Sequence, residues 1–184
     1  MRLSGFEPIV DGDCRVLVLG TMPGVASLQK QQYYGHPRNA FWPIMAALTE
    51  ETLPEEYQAR KLMLLRHGIA LWDVCQSCER EGSLDSNILC EHPNPIVSLL
   101  KLTPSIHALA FNGQPAYRLF RRHIEKYYNI SDVGTFPERL KPISVQPCLT
   151  SLDNAINYQQ IYNVLDSLTL HIYNSVLLGA NLKR

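Results

Sequence analysis

Val16 to Leu19 form an unbroken apolar run, preceded by Arg15 and stopped by Gly20, and that run limits the available folds more than any other stretch. A strand that is apolar on both sides must be covered on both faces, as in a parallel sheet with helices packed against it. The chain then crosses a loop rich in Gly, Pro, Tyr and His and enters a helix near Asn39. In open α/β sheets, ligands bind where such loops leave the carboxyl ends of the strands. The stretch from Val16 to Met45 is therefore where function is to be sought.

Strand and helix signals alternate through the rest of the chain. Asn39 caps a helix beginning AFWPIMAAL, with Pro43 in its first turn, where no N–H is needed. PEEYQARKLMLLRHG reads as a helix opened by Pro54 and stopped by Gly68, and the strand IALWDV follows. The polar stretch from Cys75 to Pro95 reads as mainly irregular surface. Next come a short helix, IVSLLKLTP, and a strand, IHALAF, ending at Asn112-Gly113. In QPAYRLFRRHIEKYY the apolar residues Tyr117, Phe120, Ile124 and Tyr127 keep helical spacing, while Arg118, Arg121, Arg122 and Lys126 form a solvated face. Pro142 to Val145 reads as a fourth strand, and an amphipathic helix starts near Tyr158. The prediction is one α/β domain over residues 1–184, a three-layer αβα arrangement around a mainly parallel four-stranded central sheet.

Seventeen basic and seventeen acidic residues cancel, so any contact with nucleic acid must come from a local patch. No apolar run approaches the roughly 20 residues that span a bilayer, and the start MRLSGFEPIVDGD lacks the apolar segment of an export signal. A cytoplasmic monomer with no membrane partner is expected. Five cysteines without such a signal read as reduced thiols. Cys75-x-x-Cys78 with Cys90 and His92 also has two features of a zinc site, but a spacing of two arises easily by chance.

The loop after the first strand gathers Tyr33, Tyr34, His36, Arg38 and Asn39, the aromatic, amide and cationic groups that a flat hydrogen-bonding ligand requires. It contains no Asp or Glu, which argues against a two-carboxylate hydrolase, and it lacks the Lys-Ser/Thr ending of a phosphate-binding P-loop. Tyr33 and Tyr34, adjacent in sequence, are expected to face different ways, so that one of them touches a ligand. His36, next to Pro37, reads as structural.

GTMPG from Gly20 to Gly24 resembles the first motif of the uracil-DNA glycosylase superfamily, and QYYGHPRNAFW from Gln32 to Trp42 resembles the extension of that motif in its hypoxanthine-DNA (deoxyinosine) glycosylase branch. The likeness continues through GIALWDVCQSCEREGSLDS (Gly68 to Ser86) and AFNG (Ala110 to Gly113). The resemblance implies a DNA repair enzyme that hydrolyses the N-glycosidic bond of a deaminated base without metal or organic cofactor. Its DNA partner carries that base, which is flipped out of the duplex.

Carried over by position, Asn39 is the catalytic residue and Asn112 a second essential polar residue. Tyr34 stacks on the flipped base. Gly20, Thr21, Met22, Pro23, Gly24 and Phe41 complete the substrate-binding set. Met22 stands where other branches use a polar catalytic side chain, which argues against uracil excision by their mechanism. Asn39 either donates to the purine as charge develops or places the attacking water. Uracil or mismatch excision, and lesion binding with impaired turnover, are the alternatives. Lys30 and Arg38 lie in the active loop and are candidate phosphate contacts; Asp73 and Asp85 can assist at the rim, with capping and turn roles open. Family members carry a segment like LPSTSP after the last strand, whereas this chain reads QPCLTSLDNA from Gln146 to Ala155, where only Thr150 and Ser151 fit as DNA contacts.

Overall fold

The computed structural model describes residues 2–125 and 143–145, all within one compact unit. Its centre is a four-stranded sheet built from β2 (Val16–Gly20), β3 (Ile69–Asp73), β6 (Ala108–Asn112) and β7 (Ile143–Val145), which lie side by side in the order β3-β2-β6-β7. Every pairing in it is parallel. All five residues of β2 and all five of β3 are buried, as expected of strands covered on both faces. Leu17, Leu19, Leu71 and Phe111 form the middle of the core.

The chain leaves β2 toward β3 on one side and later returns to place β6 on the other. The carboxyl ends of β2 and β6 thus flank a topological switch point, where a crevice opens between diverging connections. Three helices make the first crossover: α1 (Val25–Lys30), α2 (Phe41–Leu48) and α3 (Tyr57–Arg66). α2 buries Phe41, Trp42, Met45 and Ala46, so hydrophobic burial holds this eight-residue helix, which is too short to persist alone. α3 starts at Tyr57, three residues after Pro54, and ends before Gly68, whose φ of 68° lets the chain turn into β3. α4 (Ile96–Leu102) and α5 (Gln114–Phe120) follow the expected pattern, and α5 continues as a π-helical turn over Arg121–Glu125. Phe120 and Ile124 are buried there, whereas Arg118, Arg121 and Arg122 are exposed. Arg121 pairs with Glu125 at 2.8 Å and Arg122 with Glu91 at 2.7 Å.

The stretch from Cys75 to Pro95, expected to be irregular, instead supplies two strands of a second sheet. β4 (Cys75–Glu79) pairs antiparallel with β5 (Leu89–Pro93) and with β1 (Arg2–Ser4). Its polar composition reflects a one-sided sheet: Cys75 and Cys78 are buried while Gln76 and Glu79 face outward, and register shifts break strict alternation. Between the two strands, Gly82 and Ser83 lie in a loop that leads into a single 3-10 turn over Asp85–Asn87. The amino-terminal segment also closes the outer side of β3: Ile9 forms an antiparallel bridge to Leu71, and Trp72 Nε1 donates to the Phe6 carbonyl at 2.9 Å. Covering an edge in this way removes a pairing surface that would otherwise recruit other chains. The expected helix after Tyr158, together with Lys126, Tyr127 and residues 146–155, lies outside the described residues.

Candidate active site

Gly20 at the end of β2 lies opposite Asp73 at the end of β3, and Asn112 ends β6 on the other side. These three strand ends contribute to a cavity of about 550 Å³. Its walls come from Thr21 to Ser27, from Tyr34, His36 and Asn39, and from Ser83 and Asp85 in the β4–β5 connection. The volume falls in the range of small-molecule sites. Gly20, Thr21, Met22, Pro23, Gly24, Tyr34, Asn39 and Asn112, all expected at the site, line it together.

Tyr33 and Tyr34, expected to face different ways with one of them at the ligand, both border the cavity. Tyr33 is 3% exposed and locked in place: its N–H donates to Tyr57 Oη at 3.0 Å, its hydroxyl to the Glu7 carbonyl at 3.1 Å, and its carbonyl accepts from Trp42 Nε1 at 2.8 Å. Tyr34 adopts φ 53°, a left-handed conformation that is strained for a bulky residue and recurs at functional sites. Its ring stacks on Phe41 with centroids 3.9 Å apart and planes 21° from parallel. Phe41 itself is buried and does not line the cavity, so its expected place against the substrate is corrected: it backs Tyr34. Its position on the first turn of α2, inside the hydrophobic core, puts it behind the ring rather than beside a ligand.

Asn112 Nδ2 donates to Tyr34 Oη at 2.7 Å, and with the amide so placed its Oδ1 is left as an acceptor. Asn39 Oδ1 accepts from the Phe41 N–H at 2.9 Å, closing the turn into α2. That N–H can only meet an acceptor, so the Asn39 NH₂ is the group left for a ligand. Asn39, expected to cap α2, lies one residue before the cap position, which Ala40 occupies, and its oxygen closes the turn ahead of the helix instead.

Asp73 is 4% exposed, lines the cavity, and carries the one buried side-chain oxygen, Oδ2, that has no hydrogen-bond partner among the described residues. Burial, reinforced by the Asp85 carboxylate and opposed by the Arg80 guanidinium, pushes its carboxyl up to about 7. Gly20 has to be glycine beside it, because a Cβ there would collide with Asp73 Oδ1 and lie 3.0 Å from Tyr34 Oη. Asp85, by contrast, fills a structural role. It accepts from Thr21 Oγ1 at 2.7 Å and lies 4.0 Å from Arg80.

The uracil DNA glycosylase superfamily model matches residues 7–165. The chain belongs to the uracil DNA glycosylase superfamily. Two curated proteins named hypoxanthine DNA glycosylase are similar to it. The protein from Methanosarcina barkeri is 39% identical over 115 residues, which cover 62% of this chain and 73% of the relative. The protein from Methanosarcina acetivorans is 39% identical over 117 residues, 63% of this chain and 74% of the relative. The solution NMR structure of a candidate uracil DNA glycosylase from Methanosarcina acetivorans superposes with a TM-score of 0.68 at 28% identity, covering 90% of this chain and 99% of that one.

Within this superfamily fold, Met22 is 5% exposed and packs with Cys75 and Cys78 in a small apolar cluster. Burial raises the Cys75 thiol to about 12, so it behaves as a packing group. The residue that sequence reasoning missed is Arg80. Its side chain is fully buried; it donates to the carbonyls of Pro23, Met22 and Gly82, the last at 3.1 Å, and so shapes the GTMPG loop from the β4–β5 side. Ser83 Oγ accepts from the Val25 N–H at 2.9 Å and fixes the same loop at its far end. The arginine of CEREG carried no signal of burial, since nothing in sequence showed carbonyls converging on it. Lys30 and Arg38 are exposed and outside the cavity lining, and Thr150 and Ser151 lie outside the described residues.

Proposed function

We propose that this chain is a monofunctional DNA glycosylase that hydrolyses the N-glycosidic bond of deoxyinosine, releasing hypoxanthine and leaving an abasic site. The observation that carries the reading is the Asn39 amide, whose oxygen is held by the Phe41 N–H at 2.9 Å in a residue that lines the cavity. Family membership and relatives named for hypoxanthine support the substrate.

The deaminated base is rotated out of the duplex, at a cost of roughly a few kcal/mol that is lowest for a mispaired base. Stacking on Tyr34, already backed by Phe41, returns about 1–3 kcal/mol. As the bond between C1′ and N9 breaks, its electron pair moves onto the purine. Water then adds to C1′ and the displaced proton ends on hypoxanthine. Asn39 Nδ2 donates to the purine while that charge grows; an Asn39 oxygen already accepting from Phe41 favours this role over placing the water. Exposed Lys30 and Arg38 are proposed to meet backbone phosphates, and the protein is proposed to act as a monomer with a three-layer αβα arrangement around its parallel sheet.

Incubation with a deoxyinosine oligonucleotide, followed by alkali to cleave abasic sites, tests the proposal. Strand breakage by wild type and its loss in Asn39→Ala are expected. Equal breakage by both, or none by either at high enzyme, overturns the reading, and breakage of uracil substrates alone reassigns the base.

A further inference from the structure

Asp73 and Asn112 stand at the carboxyl ends of the two strands that flank β2, and Gly20 between them presents no side chain. Both line the cavity, and Tyr34 Oη bridges the space, held by Asn112 and close over Gly20. The floor of the cavity therefore holds one amide and one carboxyl group. We propose that Asp73, as a neutral carboxylic acid, donates a hydrogen bond to the O6 carbonyl of the flipped purine, beside an Asn112 Oδ1 that accepts from N1–H. This inference rests on the glycosylase reading and names how that site tells one purine from another.

Three observations support it. Asp73 Oδ2 is buried without a partner among the described residues, and native structures rarely leave such an atom unmet. The residue itself lines the cavity, so a ligand seated there comes up against this carboxyl group. Second, the surroundings hold the carboxyl in its donor form. The groups that face it are Asp85 and Arg80 from the β4–β5 side, Cys75 from β4, and the phenols of Tyr33 and Tyr34 from the loop before α2. Among them only Arg80 favours the anion, and burial outweighs it. Third, Asn112 lines the same cavity, and with its Nδ2 donating to Tyr34 Oη at 2.7 Å its Oδ1 is left as an acceptor.

Hypoxanthine offers O6 as acceptor beside N1–H as donor, which complements that pair. Adenine offers the reverse, an N6 amino donor beside an N1 acceptor, so the Asp73 hydroxyl loses its acceptor at the exocyclic position and Asn112 Oδ1 faces a second acceptor. A site built from paired hydrogen-bonding groups rejects a mismatched edge far more strongly than a hydrophobic pocket rejects a difference in shape. The same contact assists the reaction. Charge released onto the purine reaches O6, so a hydrogen bond from a neutral carboxyl strengthens toward the transition state, whereas an ionised carboxylate there would oppose bond cleavage.

Single-turnover base release from a deoxyinosine duplex, measured from about pH 5 to about pH 9 for wild type, Asp73→Asn and Asp73→Ala, tests the assignment. Wild-type rates are expected to fall about tenfold per pH unit once the carboxyl ionises. Asp73→Asn keeps a donor at every pH, so it should stay within about tenfold of wild type below neutrality and lose the alkaline decline. Asp73→Ala should lose about a hundredfold at low pH, while its unfolding midpoint shows that it is folded. A folded Asp73→Asn as inactive as Asp73→Ala, or one that keeps the alkaline decline, overturns the assignment alone. No release by wild type at any pH overturns the glycosylase reading and this assignment with it.

Discussion

The amide nitrogen of Asn112 donates to the hydroxyl of Tyr34 over 2.7 Å and joins the end of β6 to the loop ahead of α2 across 78 residues of sequence. Removing that hydroxyl keeps the ring and its stack on Phe41 but frees the amide to rotate. Tyr34→Phe is expected to reduce kcat/KM for deoxyinosine by about 3- to 10-fold, the equivalent of one neutral hydrogen bond of about 0.5–1.5 kcal/mol. Tyr34→Ala should cost more, because it loses the stacking surface as well. Steady-state kinetics on both variants separates the two contributions.

Asn39 serves the fold through its oxygen, and the proposed chemistry falls to its nitrogen. Asn39→Asp keeps the acceptor for Phe41 N–H and loses the donor. Its base release should fall by about a hundredfold or more, with the unfolding midpoint unchanged within about a degree. Asn39→Ala should lose both, with about 1 kcal/mol of stability gone as well. Thermal melts run beside the alkali assay test this division.

Arg80 is a buried charge satisfied by the carbonyls of Met22, Pro23 and Gly82, with Asp85 nearby. Arg80→Ala leaves those three carbonyls without their donor and removes the cation nearest Asp85, and it is expected to destabilise the protein by about 3–5 kcal/mol. Arg80→Lys should recover little, since an ammonium cannot reproduce the planar fork of a guanidinium. Urea titration of the three proteins measures the difference.

Asp73 makes stability depend on pH in a particular direction. Its carboxyl is raised from an ordinary value of 3.8 to about 7, so the folded protein holds a proton that the unfolded chain releases. The favourable contribution is complete below about pH 4 and is lost progressively as the pH rises to about 7. Asp73→Asn carries no such loss. Its stability advantage over wild type should be absent near pH 4 and reach up to about 4 kcal/mol at pH 8 or above. Denaturant unfolding at the two pH values decides it.

Gly20→Ala places a methyl group where Asp73 Oδ1 now lies, close to Tyr34 Oη. Because Gly20 is at the end of β2, the strand can pair as before while the site is displaced. Base release is expected to fall by about a hundredfold, in line with misplacement of reacting groups by about 1 Å, with a smaller loss of stability. Kinetics and melting curves for this variant test the contrast.

The parallel sheet was legible because apolar runs such as Val16 to Leu19 and Ile69 to Leu71 leave strands little choice, and because Gly20, Gly68 and Gly113 punctuate them. The gathering of Gly20, Tyr34, Asn39 and Asn112 at one cavity followed from strand direction and motif likeness. The second sheet was hidden, since β4 and β5 present one polar face and gain their pairing from each other and from β1. Phe41 was misplaced because a helix's first turn can face either the ligand or the core, and only packing against Tyr34 selects the core. Asp73 reads in sequence as the polar end of a strand; its isolation appears only when Gly20, Tyr34 and Asp85 surround it.

The GTMPG loop takes its shape from Arg80, Ser83 and Asp85, residues carried by a connection between two surface strands. Aperture and chemistry therefore reside on separate segments of the chain. Lengthening or re-sequencing the tip of that connection would shift one jaw of the cavity while Tyr34, Asn39 and Asn112 stay where they are. A protein built this way can widen or narrow its cavity without moving the groups at its floor, because the aperture is set by a segment that carries none of Tyr34, Asn39, Asp73 and Asn112.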